Sequence, residues 1–202
     1  MRGAADFFYE AGVLKRTPRS GWALARMANR ESVADHSFRT ALIAMTMATM
    51  AGADPDRAAT LALLHDLPEA RLGDMHHLTR RYLDEPKPFL RVIEDQTAGL
   101  PDGVRELIRD RALQWVEQDS VEARIAKDAD VIESVLHLRE SLAERPELAR
   151  RWVEYLAASV KTEVGRAMLA EIRATDPDDW WPRTVTGDLD GGAESGGAGS
   201  GR

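Results

Sequence analysis

Apolar residues recur along this chain at intervals of three and four almost throughout, and no segment alternates apolar and polar positions as a half-buried strand would. The pattern predicts an all-α fold. A first helix is expected over residues 4–14, followed by a loop at Pro18, Ser20 and Gly21. Ser32 and Asp35 stand at capping-box spacing and open a long Ala/Met/Ile helix, expected to be fully buried and to end at Gly52 through a left-handed cap. Asp54 and Pro55 supply the next N-cap and first helical residue. That helix runs through Leu61, Leu64 and His65 until Pro68, whose ring would clash with the carbonyl of Leu64.

Past this break a short turn over residues 69–72 leads to Gly73-Asp74 and a polar segment reaching Lys87. Helices follow over 89–98 and 102–117. Ser120 then caps a helix whose Val121, Ile125, Ile132, Val135, Leu136 and Leu142 form an inward stripe, with Asp130 inside it. One last amphipathic helix, 147–173, repeats Leu148, Trp152, Leu156, Val160, Val164 and Met168 as core positions. After DPDDWWPRT the composition collapses into GDLDGGAESGGAGSGR, which cannot bury enough apolar area to offset its chain entropy. A single globular helical bundle is therefore expected over residues 1–182, with a disordered, non-catalytic tail over 183–202. No internal repeat is visible.

Composition narrows the chemistry. The 202 residues suit one domain and include no cysteine, so disulfides and thiolate zinc sites are excluded and any metal must be held by His, Asp or Glu. The N-terminal MRGAADFFYEAGVLKR lacks the design of a signal peptide, and the longest apolar stretch, 41–53, is too short to span a bilayer. A soluble cytoplasmic protein without a membrane partner is expected. A formal charge of −7 argues against nucleic acid as a partner, because a phosphate backbone calls for a basic surface. Charge is unevenly spread, however: residues 15–30 carry five cations and no acid. That stretch is the candidate site for a small anion.

Three short segments carry candidate chemistry. LALLHDLPEA places His65-Asp66 at the end of an apolar helix, where an uncompensated carboxylate is costly to bury unless paired or metal-bound. VADHS puts His36 at the start of another helix, and KDADVIE sets Asp128 and Asp130 in an otherwise apolar helical segment. Two imidazoles and two carboxylates form a mixed nitrogen and oxygen set that suits Mn, Fe, Co, Ni, Zn or Mg. Two carboxylates neutralise one divalent ion, and four ligands leave about two of six octahedral positions open for water and substrate.

From LKRTPRSGW through ESVADHS and LLHDLPEARLGD to KDADVIES, the chain resembles the HD-domain metal-dependent phosphohydrolases, and most closely their 5'-deoxynucleotidase subgroup. The resemblance implies one divalent ion held by His36, His65, Asp66 and Asp130, with Asp128 as the competing carboxylate, read as a solvated helical residue. It implies that Glu69 accepts the proton of the attacking water. Asp74 would orient that water, protonate the leaving oxygen or bond the sugar hydroxyl. Arg19 would grip the phosphate and Trp22 pack against sugar or base, excluding a 2'-hydroxyl. Some members place this Arg and Trp side by side, whereas Ser20-Gly21 separates them here. His76, His77 and His137 match no motif; the first two are read as surface-loop residues and the third as a satisfied helix histidine.

The resemblance thus implies a phosphatase acting on (deoxy)nucleoside 5'-monophosphates, working as a homodimer. Two alternatives are a specialised nucleotide of a biosynthetic pathway and an inert nucleotide sensor. Retention of both Glu69 and Asp74 opposes the sensor. Alarmone hydrolysis fits poorly, because those enzymes carry Glu then Asp where this chain has Glu69-Ala70.

Overall fold

The computed structural model describes residues 1–82 and 89–186, and among these all regular structure is helical apart from one isolated antiparallel bridge between Pro18 and Ser32. Helix α1 (Arg2–Ala11) tightens into a 3-10 turn over Gly12–Lys15. The basic loop follows and is stitched to the residues ahead of the long helix: Arg19 N–H donates to Glu31 O at 3.0 Å and Val33 N–H to Thr17 O at 2.9 Å. A single turn, α2 (Gly21–Leu24), carries Trp22.

Next come α3 (Val33–Met50) and α4 (Pro55–Leu64), both started as their sequences dictate. Ser32 Oγ accepts from Asp35 N–H while Asp35 accepts from Ser32 N–H, closing the capping box; Asp54 Oδ1 accepts from the amides of Asp56 and Arg57. Gly52 takes a φ of +68°, the left-handed conformation that a glycine accepts without a Cβ penalty. Short helices α5 (Glu69–Leu72) and α6 (His77–Arg80) lead to α7 (Phe89–Thr97), α8 (Asp102–Glu117), α9 (Val121–Ser141), α10 (Pro146–Ala157), α11 (Glu163–Ala174) and α12 (Trp180–Thr186).

The centre of the molecule is a layer of α3, α4 and α9. Ala44, Met47 and Ala48 pack on Ala58, Leu61 and Ala62 and on Ala123, Ile125, Ala126, Ala129 and Ile132, all essentially without exposure. Alanine at these contacts lets the three backbones approach closely, which matters because each supplies part of the site. No described helix is long and apolar enough to cross a membrane.

Several expectations change. α3 is not fully buried: Phe38 is 70% exposed, Leu42 50% and Met45 39%, because α4 and α9 cover only the face bearing Thr40, Ala44 and Met47. Val121 is exposed at the first turn of α9, beyond the packed layer. α12 continues to Thr186, so helix extends past the boundary drawn at residue 183, while the expected disordered tail from residue 187 lies outside the described residues. Finally, the helix expected over 147–173 is two helices, broken between Ala157 and Glu163.

The break has a visible cause. Asp128, 1% exposed rather than solvated, accepts from Lys161 N–H at 2.9 Å, Thr162 N–H at 2.7 Å and Thr162 Oγ1 at 2.7 Å. Thr162 Oγ1 in turn accepts from Gly165 N–H and caps α11. A Cβ on Gly165 would stand 2.5 Å from Asp128 Oδ2, so only glycine fits. Asp128→Ala is expected to lose about 2–4 kcal/mol of stability by orphaning these donors, yet keep the protein's metal content; urea unfolding and metal analysis check the pair.

Candidate metal centre

Each expected ligand is delivered by a different structural cause. The capping box fixes the start of α3 and sets His36 one turn in, facing the core with no exposure. Pro68 ends α4, and the chain turns tightly instead, Leu67 N–H donating to Leu64 O and Glu69 N–H to Asp66 O at 2.9 Å. That turn aims His65 and Asp66 inward, each 5% exposed. Asp130 arrives from α9. His36 Nε2 lies 3.2 Å from Asp130 Oδ1 and 3.9 Å from Asp66 Oδ2, while His65 Nε2 lies 2.9 Å from Asp66 Oδ2 and 3.9 Å from Asp130 Oδ1.

The donor set fits a cation. His65 Nδ1 sits 2.6 Å from Ala62 O, a contact that requires the proton on Nδ1 and leaves a lone pair on Nε2. That nitrogen is buried and makes no hydrogen bond, although it faces Asp66 Oδ2. A lone pair turned toward a carboxylate oxygen is repulsive until a positive ion stands near both. His36 is oriented likewise, its Nδ1 bonded to Glu133, which has no exposure and accepts from Arg39 Nε at 2.9 Å. Arg39 continues to Glu140 on the surface. Sequence reasoning missed Glu133, although its position three residues after Asp130 puts both acids on one face of α9.

Arg19, expected to grip a phosphate, is held among three carboxylates. Its Nη1 donates to Asp66 Oδ2 at 3.0 Å and lies 3.9 Å from Asp74 Oδ1; its Nη2 lies 3.8 Å from Asp130 Oδ1 and donates to Ser134 Oγ at 3.4 Å. Asp74 also accepts from Ser20 N–H, which clamps the basic loop to the turn after α5. Trp22 is 4% exposed, packs with Ala25, Met27, Leu138 and Leu142, and donates its indole N–H to Glu31 at 2.9 Å. It is a core residue with one edge on the cavity above the ligands.

That cavity holds about 230 Å³, and its walls include Arg19, Trp22, Asp66, Asp74 and Asp130. Glu69, 1% exposed, lies behind these walls within the electrostatic reach of Arg19. Trp115, Lys127 and Lys161, which no motif marks, also line the cavity. Lys127 Nζ lies 3.0 Å from Asp130 Oδ2 and 4.5 Å from the Trp115 ring centre. His76 and His77, expected in a surface loop, both line the cavity, His76 also capping α6 through Thr79 N–H. His137 faces Glu31 and stacks on Trp22 at 5.2 Å, as a satisfied helix histidine should.

Protonation follows from this geometry. Burial and Arg19 push the His36 imidazole down, but bonds to Asp130 and Glu133 outweigh them and hold it at about 9. Burial also disfavours ionisation of Asp66 and Asp130; the positive charges of Arg19 and His36 keep Asp66, and Lys127 and His36 keep Asp130, well below the usual carboxylate range. Because the His36 value is raised above its unfolded 6.5, its stabilisation of the metal-free protein is complete below pH 6.5 and lost as pH rises through 9. A metal held by His36 requires that imidazole neutral, so its uptake would expel a proton and affinity should climb about tenfold per pH unit between those values. Calorimetry of metal-free protein and chelator competition across this range check both signs. In the same titration Glu133→Gln should weaken metal binding about 10–100-fold.

Comparison with known proteins places this geometry. The HD domain family matches residues 11–172. The chain is 32% identical over 144 residues to the 5'-deoxynucleotidase HDDC2 of Xenopus laevis, covering 70% of this chain and 71% of that protein. Among solved structures, a conserved hypothetical protein of Pyrococcus furiosus superposes with a TM-score of 0.70 at 25% identity, covering 85% and 99% of the two chains. The fold is shared with the HD phosphohydrolase DatZ of cyanophage S-2L, solved with dA and one catalytic Zn2+ ion, at a TM-score of 0.50 and 21% identity over 83% and 96% of the chains. Four ligand-type side chains converging from α3, the α4 turn and α9, together with these matches, make the chain a member of the HD domain family, in the group of the 5'-deoxynucleotidases.

Proposed function

We propose that the protein is a divalent-metal-dependent phosphatase that hydrolyses (deoxy)nucleoside 5'-monophosphates to nucleoside and inorganic phosphate. The observation that carries this is the convergence of His36, His65, Asp66 and Asp130 beneath a cavity walled by Arg19. The naming of its relatives as 5'-deoxynucleotidases supports the substrate class. The ion, one of Co, Mn, Mg, Fe, Ni or Zn, would be held by those four residues and supply Lewis acidity to the phosphoryl group and to the attacking water.

The chain's own residues do the rest. Arg19 already spans Asp66, Asp74 and Asp130, and its planar fork can turn two donors onto phosphate oxygens, stabilising charge as it develops. Glu69 follows Asp66 by one tight turn and takes the proton of the attacking water. Asp74, with one oxygen held by Ser20 N–H, fixes Arg19 and orients that water. Trp22, immobilised through Glu31, offers a rigid edge to the cavity that would pack on the sugar and exclude a 2'-hydroxyl. The reaction would run in the cytoplasm, whose reducing conditions suit a chain without cysteine.

Purified protein given deoxynucleoside monophosphates with Co, Mn or Mg is expected to release phosphate. Glu69→Ala should cut kcat by about 100-fold or more while metal content stays near one ion per chain. Full activity in that variant, or no phosphate from any substrate, overturns the proposal.

A homodimer is supported by the apolar outer face of α3, where Phe38, Leu42 and Met45 share one stripe. Leu42→Glu should shift sedimentation from dimer to monomer; an unchanged dimer places the interface elsewhere.

A further inference from the structure

The cavity over the metal centre, about 230 Å³, is small beside the roughly 300–1,000 Å³ that complete small-molecule sites occupy. A second cavity of about 710 Å³ adjoins it, the two sharing Gly21, His76, His77 and Trp152. Its chemistry is distinct. Trp152 meets Tyr155 edge to face at 6.2 Å, and His77 meets the same ring at 6.0 Å, giving an aromatic wall on which a base can lie.

Two guanidiniums complete this outer cavity, Arg81 just past α6 and Arg151 on α10. Among the described residues neither is paired with a carboxylate. Glu147 and Glu154, on the same helix as Arg151, both go to Arg150, at 3.0 and 2.7 Å. Unpaired arginines beside an aromatic wall suit a phosphate attached to a stacked nucleoside.

Distance from the metal centre matters as well. A 5'-phosphate held at Arg19 occupies the inner cavity, so sugar and base enter the outer one, which is far larger than a base. Arg81 and Arg151 line the volume that is left. We propose that this outer cavity is a second phosphate subsite, so that the preferred substrates are nucleoside 5'-phosphates carrying a further phosphate, either a 3',5'-bisphosphate or a 5'-phosphorylated dinucleotide. This rests on the phosphatase proposal for the inner site. The reaction there is unchanged: the water oxygen bonds to phosphorus, the bond from phosphorus to O5' breaks, and the proton ends on the released hydroxyl.

The test compares deoxyadenosine 5'-monophosphate, deoxyadenosine 3',5'-bisphosphate and the 5'-phosphorylated deoxyadenosine dinucleotide on metal-loaded protein, by calorimetry and by phosphate release. The bisphosphate is expected to bind about tenfold tighter than the monophosphate. In the Arg81→Ala, Arg151→Ala double variant that gap should close, with Kd and kcat for the monophosphate unchanged. A gain shared by the dinucleotide assigns the subsite to a phosphodiester; a gain confined to the bisphosphate assigns it to a terminal phosphate. Equal affinities for all three, or a loss that strikes the monophosphate as hard, overturns the subsite. An arginine-dependent gap without phosphate release from any ligand overturns the phosphatase proposal and leaves the subsite standing.

Discussion

Two carboxylates and two imidazoles cannot share one buried point without positive charge, and the architecture answers to that constraint. Asp66 and Asp130 stay ionised despite burial, which obliges cations to gather around them: Arg19 from the loop before α2, Lys127 from the preceding turn of α9, and protonated His36 when no metal is bound. The cost of stranding a charge in the interior is several kcal/mol, more than any single apolar contact nearby returns. Packing is arranged to hold the charges, and the charges need the packing to stay dry.

The alanine-rich layer meets this demand. Because Ala44, Ala48, Ala58, Ala62, Ala126 and Ala129 add little bulk, α3, α4 and α9 come close enough for side chains from all three to meet at distances of 2.9–3.9 Å. Larger residues would push the helices apart and pull the ligands out of range. A further tier of contacts holds the imidazoles in one orientation, Glu133 for His36 and the Ala62 carbonyl for His65.

Much of this could be read along the chain because it is locally encoded. Ser32 with Asp35, Asp54 with Pro55, and Pro68 act within a few residues, and each element begins or ends where those residues dictate. The four residues expected as ligands also lie together. What escaped notice depends on pairings between distant segments. The repeat from Leu148 to Met168 stays in helical phase across the break between Ala157 and Glu163, and the residue that holds the turn, Asp128, stands more than thirty positions earlier. Glu133 looked like any helical acid until His36 and Arg39 were found against it. The outer face of α3 is as apolar as its inner face, so composition alone could not show which side is covered.

The clasp made by Asp128 also divides labour along one turn of α9. Asp130 faces His36 and His65, while two residues earlier Asp128 holds the turn whose Ser159 and Lys161 line the cavity. The buried cluster and part of the cavity wall are therefore anchored to the same rigid rod but on different sides of it. Lineages could rebuild α10 and its turn, changing which molecule is admitted, without disturbing the ion's coordination, so new specificities lie within reach of a few substitutions.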